Sequence, residues 1–414
     1  MRRAASRRAR AGARGPASQP GRADPRHHGL APAGRGDRRI VWGRFKNFFL
    51  PRDGGASVAL PFEEDQPDGI EPAGALESIR VVGAWRIDIY ARVARLFEAN
   101  GWVRGDLDDP SREADFYVFP YDWRRSHVAA AAELARSLEH LRAVRGEAEL
   151  RVDIVCQSNA ATIARYFVKY GGEPLERAES GDAAPPPGIR VERLVMIGTA
   201  NGGALGTLDD LHDGRRYVAL IGRRFAPDTL RTFPSLFEAL PAPRSDLFVD
   251  ERGEPLALDL YDADDWHRYG LGSAEEPEAR AFLTRALDVS RRLHAVLARD
   301  ARGFAAERYY SIQNAYRPTA DRAVLDRRGK RTKLYLPGDG PVREDPWLTA
   351  LVAAPGDGHA TLASQQALSP QENAALAAPT VFVDQAHREI MQSPAAHRHL
   401  LRFLRDREGD PLDR

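Results

Sequence analysis

The stretch LRVDIVCQSNAATIARYFVKYGG, Leu150–Gly172, constrains the fold more than any other part of the chain. Its first eight residues read as a buried strand. Asn159–Tyr170 then carries apolar residues at helical spacing until Gly171 and Gly172 close the helix. A strand that enters a helix through one tight turn lifts the turn residue, here Ser158, above the sheet. The flanking positions of such a turn are normally Gly, because side chains collide there. Here they are Cys156 and Ala160, both small, so the turn survives with some strain. A serine hydroxyl needs a base, a group to orient that base and N–H donors for the developing oxyanion. Asn159 offers the first N–H, beside Gln157 in the turn. A serine at a helix start also serves commonly as a plain N-cap.

The remainder of the chain decides between these readings. From about Ile79, short apolar runs alternate with helical patterns, which predicts βα units and an α/β fold: a mostly parallel central sheet flanked by helices. The pattern predicts a helix over Arg86–Glu98, a strand in ADFYVFPYDW and a helix over Arg124–Arg145. VERLVMIG, ERYYSIQ, KLYLP and APTVFVD read as further strands, and Ala279–Arg299 and Ala395–Arg407 as helices. Residues 200–300 break the alternation with proline-punctuated pieces and read as an inserted cap. The core then comprises residues 40–199 and 301–410.

In such a fold the acid and the histidine follow late strands in the order serine, acid, histidine. GDGPV after KLYLP offers Asp339 in a glycine-flanked loop, although a plain turn fits it equally well. His387, in VFVDQAHREI, directly follows the last strand. The rival pair is Asp357 and His359, in GDGHATL.

Composition narrows the function classes. The chain of 414 residues carries a net charge of +1, which gives no support to a nucleic-acid partner. Its one cysteine, Cys156, rules out an internal disulfide or a cysteine-rich zinc site, and no metal or cofactor is expected. Residues 1–39 hold eleven arginines and two aspartates with almost no large apolar residue. This segment reads as a disordered tail outside the fold. No secretory signal or membrane-spanning run is visible, so a cytoplasmic location is expected.

Several segments together resemble the lecithin:cholesterol acyltransferase family of α/β-hydrolases. FPYDWRRS, VDIVCQSNAATIARYF, GTANGGAL, RTFPSLFEALP with DDWHRYG, GDGPV and AHREI follow the family's order across residues 75–407. The resemblance implies an acyl-enzyme mechanism with Ser158 as nucleophile, His387 as base and Asp339 as acid. It also implies a lipid ester as substrate and a cap that could touch a membrane peripherally. Phe225, Phe233, Phe237 and Trp266 are candidates for an acyl groove, and Tyr121, Asp122 and Trp123 read as structural.

The departures are as specific as the matches. Gly stands at neither elbow position, and Gln157 replaces the family's frequent His. VWGRFKNFFLPRDGG looks like the sequel to an oxyanion loop, but an arginine-rich tail stands where the strand before that loop belongs, which predicts a missing start; HHGL mimics the loop's dipeptide. Three functions follow: a serine lipid hydrolase or acyltransferase, a non-catalytic relative that binds a partner, and an esterase for soluble substrates.

Overall fold

The computed structural model describes residues 30–32, 53–63, 66, 68–72, 74, 78–80, 86–88, 90–215, 224–272 and 276–405. Four parallel strands form the central sheet: β1 Leu150–Gln157, β2 Ile189–Ile197, β3 Ala306–Gln313 and β4 Val381–Phe382. Their spatial order is β4-β3-β2-β1. Gln157 pairs with Ile197, Ile197 with Ile312, and Ile312 with Val381. The loops that follow the four strands therefore leave from one edge, the carboxyl edge, where open α/β sheets hold their ligands.

A register shift after Val191, and alternation along β2 beyond it, fix the layers. Val191, Leu194 and Met196 pack with α2 His127–Arg145, α3 Ala160–Tyr170 and α4 Pro277–Ala298. Val195 and Ile197 point the other way, into a core shared with α1 Ala91–Ala99 and α5 Pro394–Arg405. Successive strand residues face opposite sides, so a strand apolar at both sets of positions belongs between two helical layers.

Helix α3 is buried from Ala161 to Tyr170, although it contains Arg165 and Lys169. Arg165 donates from Nε and Nη2 to Glu372 at 2.7 and 2.8 Å, and Lys169 Nζ lies 3.3 Å from Glu372 Oε2. Lys169 also donates to the carbonyls of Leu297 and Arg299 at the end of α4. Burial alone would raise the Glu372 carboxyl, but Arg165 and Lys169 hold it down at about 2. The helix that carries the Ser158 turn is thus tied by a satisfied ionic network to two other elements.

A separate core gathers residues of the segment read as a cap. Phe225, Phe233, Phe237 and Trp266 are at most 1 % exposed and pack with Val58, Leu60, Leu208, Phe282 and Leu334. This core is not confined to residues 200–300; it takes in residues near 58 and near 334. It includes a three-stranded sheet in which Ala323–Asp326 lies between Phe248–Asp250 and Lys333–Tyr335. KLYLP thus belongs to the cap and not to the central sheet.

Other expectations also change. Arg86–Asp88 is a strand paired with Ser78–Arg80, and α1 begins only at Ala91. The alternation of Ile87 and Ile89 suits a strand better than a helix. ADFYVFPYDW makes a single bridge, Arg104 to Phe116, because Asp115 turns its carboxylate onto the N–H of Val103 and Tyr117 its hydroxyl onto Ala114. Leu30–Pro32, inside the arginine-rich segment, pairs antiparallel with Ile70–Pro72, so that part of the segment is not outside the fold. The remaining readings on the tail, on HHGL through His27–Gly29 and on VWGRFKNFFL lie outside the described residues. Among the described residues no helix is long and apolar enough to cross a membrane.

Candidate active site

Between β1 and α3 the chain turns at Ser158, which has φ +55° and is the one non-glycine residue with positive φ among those described. An L-residue reaches this left-handed region at a cost of about 1–3 kcal/mol, which the surroundings must impose. Cys156 supplies part of that frame. Its side chain is 4 % exposed in the core beneath the turn, where burial pushes the thiol up to about 12. A small apolar residue therefore occupies a position where Gly was expected, and the turn still closes.

Ser158 Oγ lies 2.9 Å from His387 Nε2, and His387 Nδ1 lies 2.7 Å from Asp357 Oδ2. Three side chains from loops at the carboxyl edge thus form one hydrogen-bonded row. Ser158 and His387 are partly exposed, whereas the Asp357 side chain is fully buried.

Asp357 leaves the strand Ala353–Gly356, which pairs with Arg317–Ala320 beyond β3. Its Oδ1 accepts the N–H groups of His359 at 2.9 Å and Ala360 at 2.8 Å. Gly358, at φ +89°, makes the tight turn that brings these N–H groups round, and its own N–H donates to Thr319 Oγ1. Burial opposes the charge, but the His387 hydrogen bond and charge, with the two N–H donors, keep the carboxyl below its ordinary value. Gly198, after β2, leaves the space this needs: a Cβ there would sit 2.9 Å from Ile390 and 3.6 Å from Asp357 Oδ2.

Asp339 is elsewhere. It precedes the short helix Gly340–Glu344 on the cap, exposed, with its carboxylate accepting the N–H of Leu336 at 2.6 Å. It was expected beside His387 because GDGPV follows an apolar run. That run lies in the cap sheet, so its loop does not open at the carboxyl edge. His359, expected only as a rival base, packs its ring 4.5 Å from that of His387. Burial, together with the charges of His387 and Arg215, pushes its protonation well below the ordinary range.

Gln157 does not point at an oxyanion site. Its amide donates to the carbonyl of His387 at 3.0 Å and ties the histidine loop to β1. The N–H of His387 in turn donates to the carbonyl of Asp357 at 3.0 Å. Behind these, buried Asn314 and Gln365 join the two loops. Asn314 Nδ2 reaches the carbonyl of Gln385 at 2.6 Å, and Gln365 Nε2 those of Asn314 and Ala360 at 2.8 and 3.1 Å. These two amides were missed, and their one signal in the sequence is the place of Asn314 directly after β3.

A cavity of about 160 Å³ has Asn159, the residue after Ser158, on its wall; none of the three residues of the row lines it. Tyr121, Trp123, Leu230 and Leu236 give it apolar walls, and His127, Arg215 and Ser235 complete the lining. Phe225, Phe233, Phe237 and Trp266 do not line it. They are cap core, which Trp266 completes by donating to the carbonyl of Leu260. Asp122 holds fully buried Arg124 at 2.9 and 2.6 Å, a structural pair, while its neighbours Tyr121 and Trp123 face the cavity.

No protein-family model matches the chain, and no curated protein matches it. Among solved structures it is similar to a chain of "The crystal structure of Tle4-Tli4 complex", with a TM-score of 0.46 and 14 % identity over 70 % of this chain and 68 % of that one.

Proposed function

We propose that the chain is an α/β-hydrolase that cleaves acyl esters through a covalent acyl-serine. One observation carries this reading: a strained serine, a histidine and a buried carboxylate are aligned at 2.9 and 2.7 Å. A hydroxyl in that setting becomes a nucleophile because the imidazole takes its proton as the new bond forms. Ser158 Oγ attacks the ester carbonyl, and His387 Nε2 accepts the hydroxyl proton. Asp357 remains ionised, fixes the tautomer by accepting from Nδ1 and stabilises the imidazolium. The N–H of Asn159, at the start of α3, serves as oxyanion donor, aided by the helix dipole. His387 then returns the proton to the leaving alkoxide, and the alcohol departs. Water, deprotonated by the same histidine, releases the acid.

The resemblance to lecithin:cholesterol acyltransferases extends the reading to lipid esters and to an alcohol as acyl acceptor. A non-catalytic relative is the weaker alternative, since nothing in binding alone would maintain a left-handed serine in line with a His–Asp pair. The test is a fluorophosphonate probe followed by mass spectrometry. Labelling at Ser158, lost in His387→Ala, supports the reading; no labelling of folded protein overturns it.

A further inference from the structure

We infer that His359 is a positioning residue: its ring is a wall against which the His387 imidazole rests, and it keeps that imidazole aimed once Ser158 has been acylated. The part in turnover rests on the proposed hydrolase reading; the grip on the His387–Asp357 pair does not.

His359 touches both members of that pair. Its backbone N–H donates to Asp357 Oδ1 at 2.9 Å, and its ring packs on the His387 ring with centroids 4.5 Å apart and planes tilted by 42°. Flat rings at roughly 4.5–7 Å attract one another in offset or tilted arrangements. The wall is itself held in place. Gly206 opens the helix Gly206–Asp213, and a Cβ there would meet His359 Nδ1 at 3.6 Å. The next residue, Ala360, is completely buried and packs with Ala200 and Ala204.

The row needs such a wall. Contacts at Nε2 and Nδ1 fix the His387 ring at two points, on Ser158 and on Asp357. A ring held at two points can still rock about the line joining them, and contact with its face stops the rocking. The need grows in the acyl-enzyme. There Oγ carries the acyl group and has no proton to share, so Nε2 loses its partner while it must still aim at the incoming water. Asp357 at Nδ1 and the His359 ring at the face then remain to hold it. Gln157 restrains only the backbone of that loop.

Charge matters as well. A wall carrying a proton would repel the imidazolium that His387 becomes. Burial, with the charges of His387 and Arg215, keeps His359 from protonating; Asp357 opposes this and Arg388 adds to it. The ring therefore works as an uncharged flat surface, which phenylalanine reproduces and alanine does not.

The experiment has two arms. In the first, kcat, KM and the pre-steady-state burst of p-nitrophenol from p-nitrophenyl acetate are measured for wild type, His359→Ala and His359→Phe. Alanine should lower kcat about tenfold, the upper end of what one ring pair supplies. Because deacylation is the step slowed, KM should fall with kcat, kcat/KM should change less, and the burst should grow. Phenylalanine should keep kcat within about threefold of wild type, since one ring contact replaces another. Its pH profile should superimpose on the wild type's.

In the second arm, proton NMR follows the low-field signal of the Nδ1–H between His387 and Asp357, assigned by its loss in Asp357→Asn. The signal should shift or broaden in His359→Ala and stay in place in His359→Phe. A folded alanine variant with wild-type kcat, or with that signal unmoved, overturns the inference. So does a folded phenylalanine variant as damaged as the alanine one, or a kcat/KM that falls as far as kcat. If the alanine variant does not fold, the phenylalanine variant decides: retained activity with an unshifted pH profile supports the wall, and a shifted profile or a tenfold loss overturns it. A signal that answers to alanine but not to phenylalanine, in a chain that neither hydrolyses esters nor takes a phosphonate label, upholds the wall and sinks the hydrolase reading instead.

Discussion

Gln157 closes β1 and donates its side-chain amide to the backbone carbonyl of His387, 230 positions later in the chain, at 3.0 Å. The contact fixes the loop that presents the imidazole without touching the ring. Gln157→Ala should therefore lower kcat by about tenfold, the equivalent of one net hydrogen bond of roughly 1.4 kcal/mol, with KM nearly unchanged. Steady-state kinetics with a thermal melt of both proteins checks this. A variant whose melting temperature collapses, or whose kcat is untouched, assigns the contact to folding alone.

The two GDG loops separate cleanly by mutation. Asp357→Asn should cost about 10⁴-fold in kcat, because an amide opposite Nδ1 favours the wrong imidazole tautomer. Asp339→Asn should leave activity within about threefold, since a carboxylate on an exposed cap loop gains only weak interactions there. Adding His387→Ala to Asp357→Asn should cost little more than the worse single change, because the groups act as a unit. Equal losses in both Asp variants would refute the row as drawn.

Much of this layout is legible in the sequence, and the parts that are not share a cause. Ser158 directly follows β1 and His387 lies in the loop that follows β4, so strand-end reasoning finds the loops that carry them. The acid is ambiguous because GDGPV and GDGHATL are alike in turn chemistry, and only pairing distinguishes them. Lys333–Tyr335 joins the cap sheet, while Ala353–Gly356 pairs with Arg317–Ala320 just beyond β3. Local pattern carries no record of a partner strand. The cap aromatics fail for a related reason: a Phe reads alike whether it lines a groove or fills a core, and Phe233 and Phe237 fill one. Gln157 looks like a lost glycine–histidine feature until its partner is seen.

Stability should fall on mild acidification, through His294. This ring donates its Nε2–H to the carbonyl of Leu240 at 2.9 Å, and burial pushes its pKa from the ordinary 6.5 down to about 4. Burial outweighs this hydrogen bond, which alone would favour the charged ring, so the native ring stays neutral while the unfolded chain takes up a proton. Between pH 6.5 and 4 the unfolded state thus binds more protons, and stability drops as pH falls, by about 3 kcal/mol in all. His359, held down by burial and by the charge of His387, acts in the same direction. Urea unfolding at several pH values from 7 down to about 5.5 avoids the range in which protonation of Glu372 in the unfolded chain contributes. His294→Gln retains a donor and should flatten the curve by its own share; an unchanged slope would exclude His294 as a source.

The left-handed turn at Ser158 makes a prediction independent of any substrate. Ser158→Ala removes Oγ but keeps a Cβ at φ +55°, so the strain remains. Ser158→Gly removes both, and glycine enters this region almost without cost. Glycine also gains freedom in the unfolded chain, which offsets part of the relief. The balance should still favour glycine by about 1 kcal/mol over alanine, because a Cβ in this region costs roughly 1–2 kcal/mol. Both variants should be inactive, so the comparison isolates backbone from chemistry. Chemical denaturation with matched slopes is the measurement. If the alanine variant is the more stable, the serine does not sit in a left-handed turn, and the exposure of Oγ needed for attack loses its structural basis.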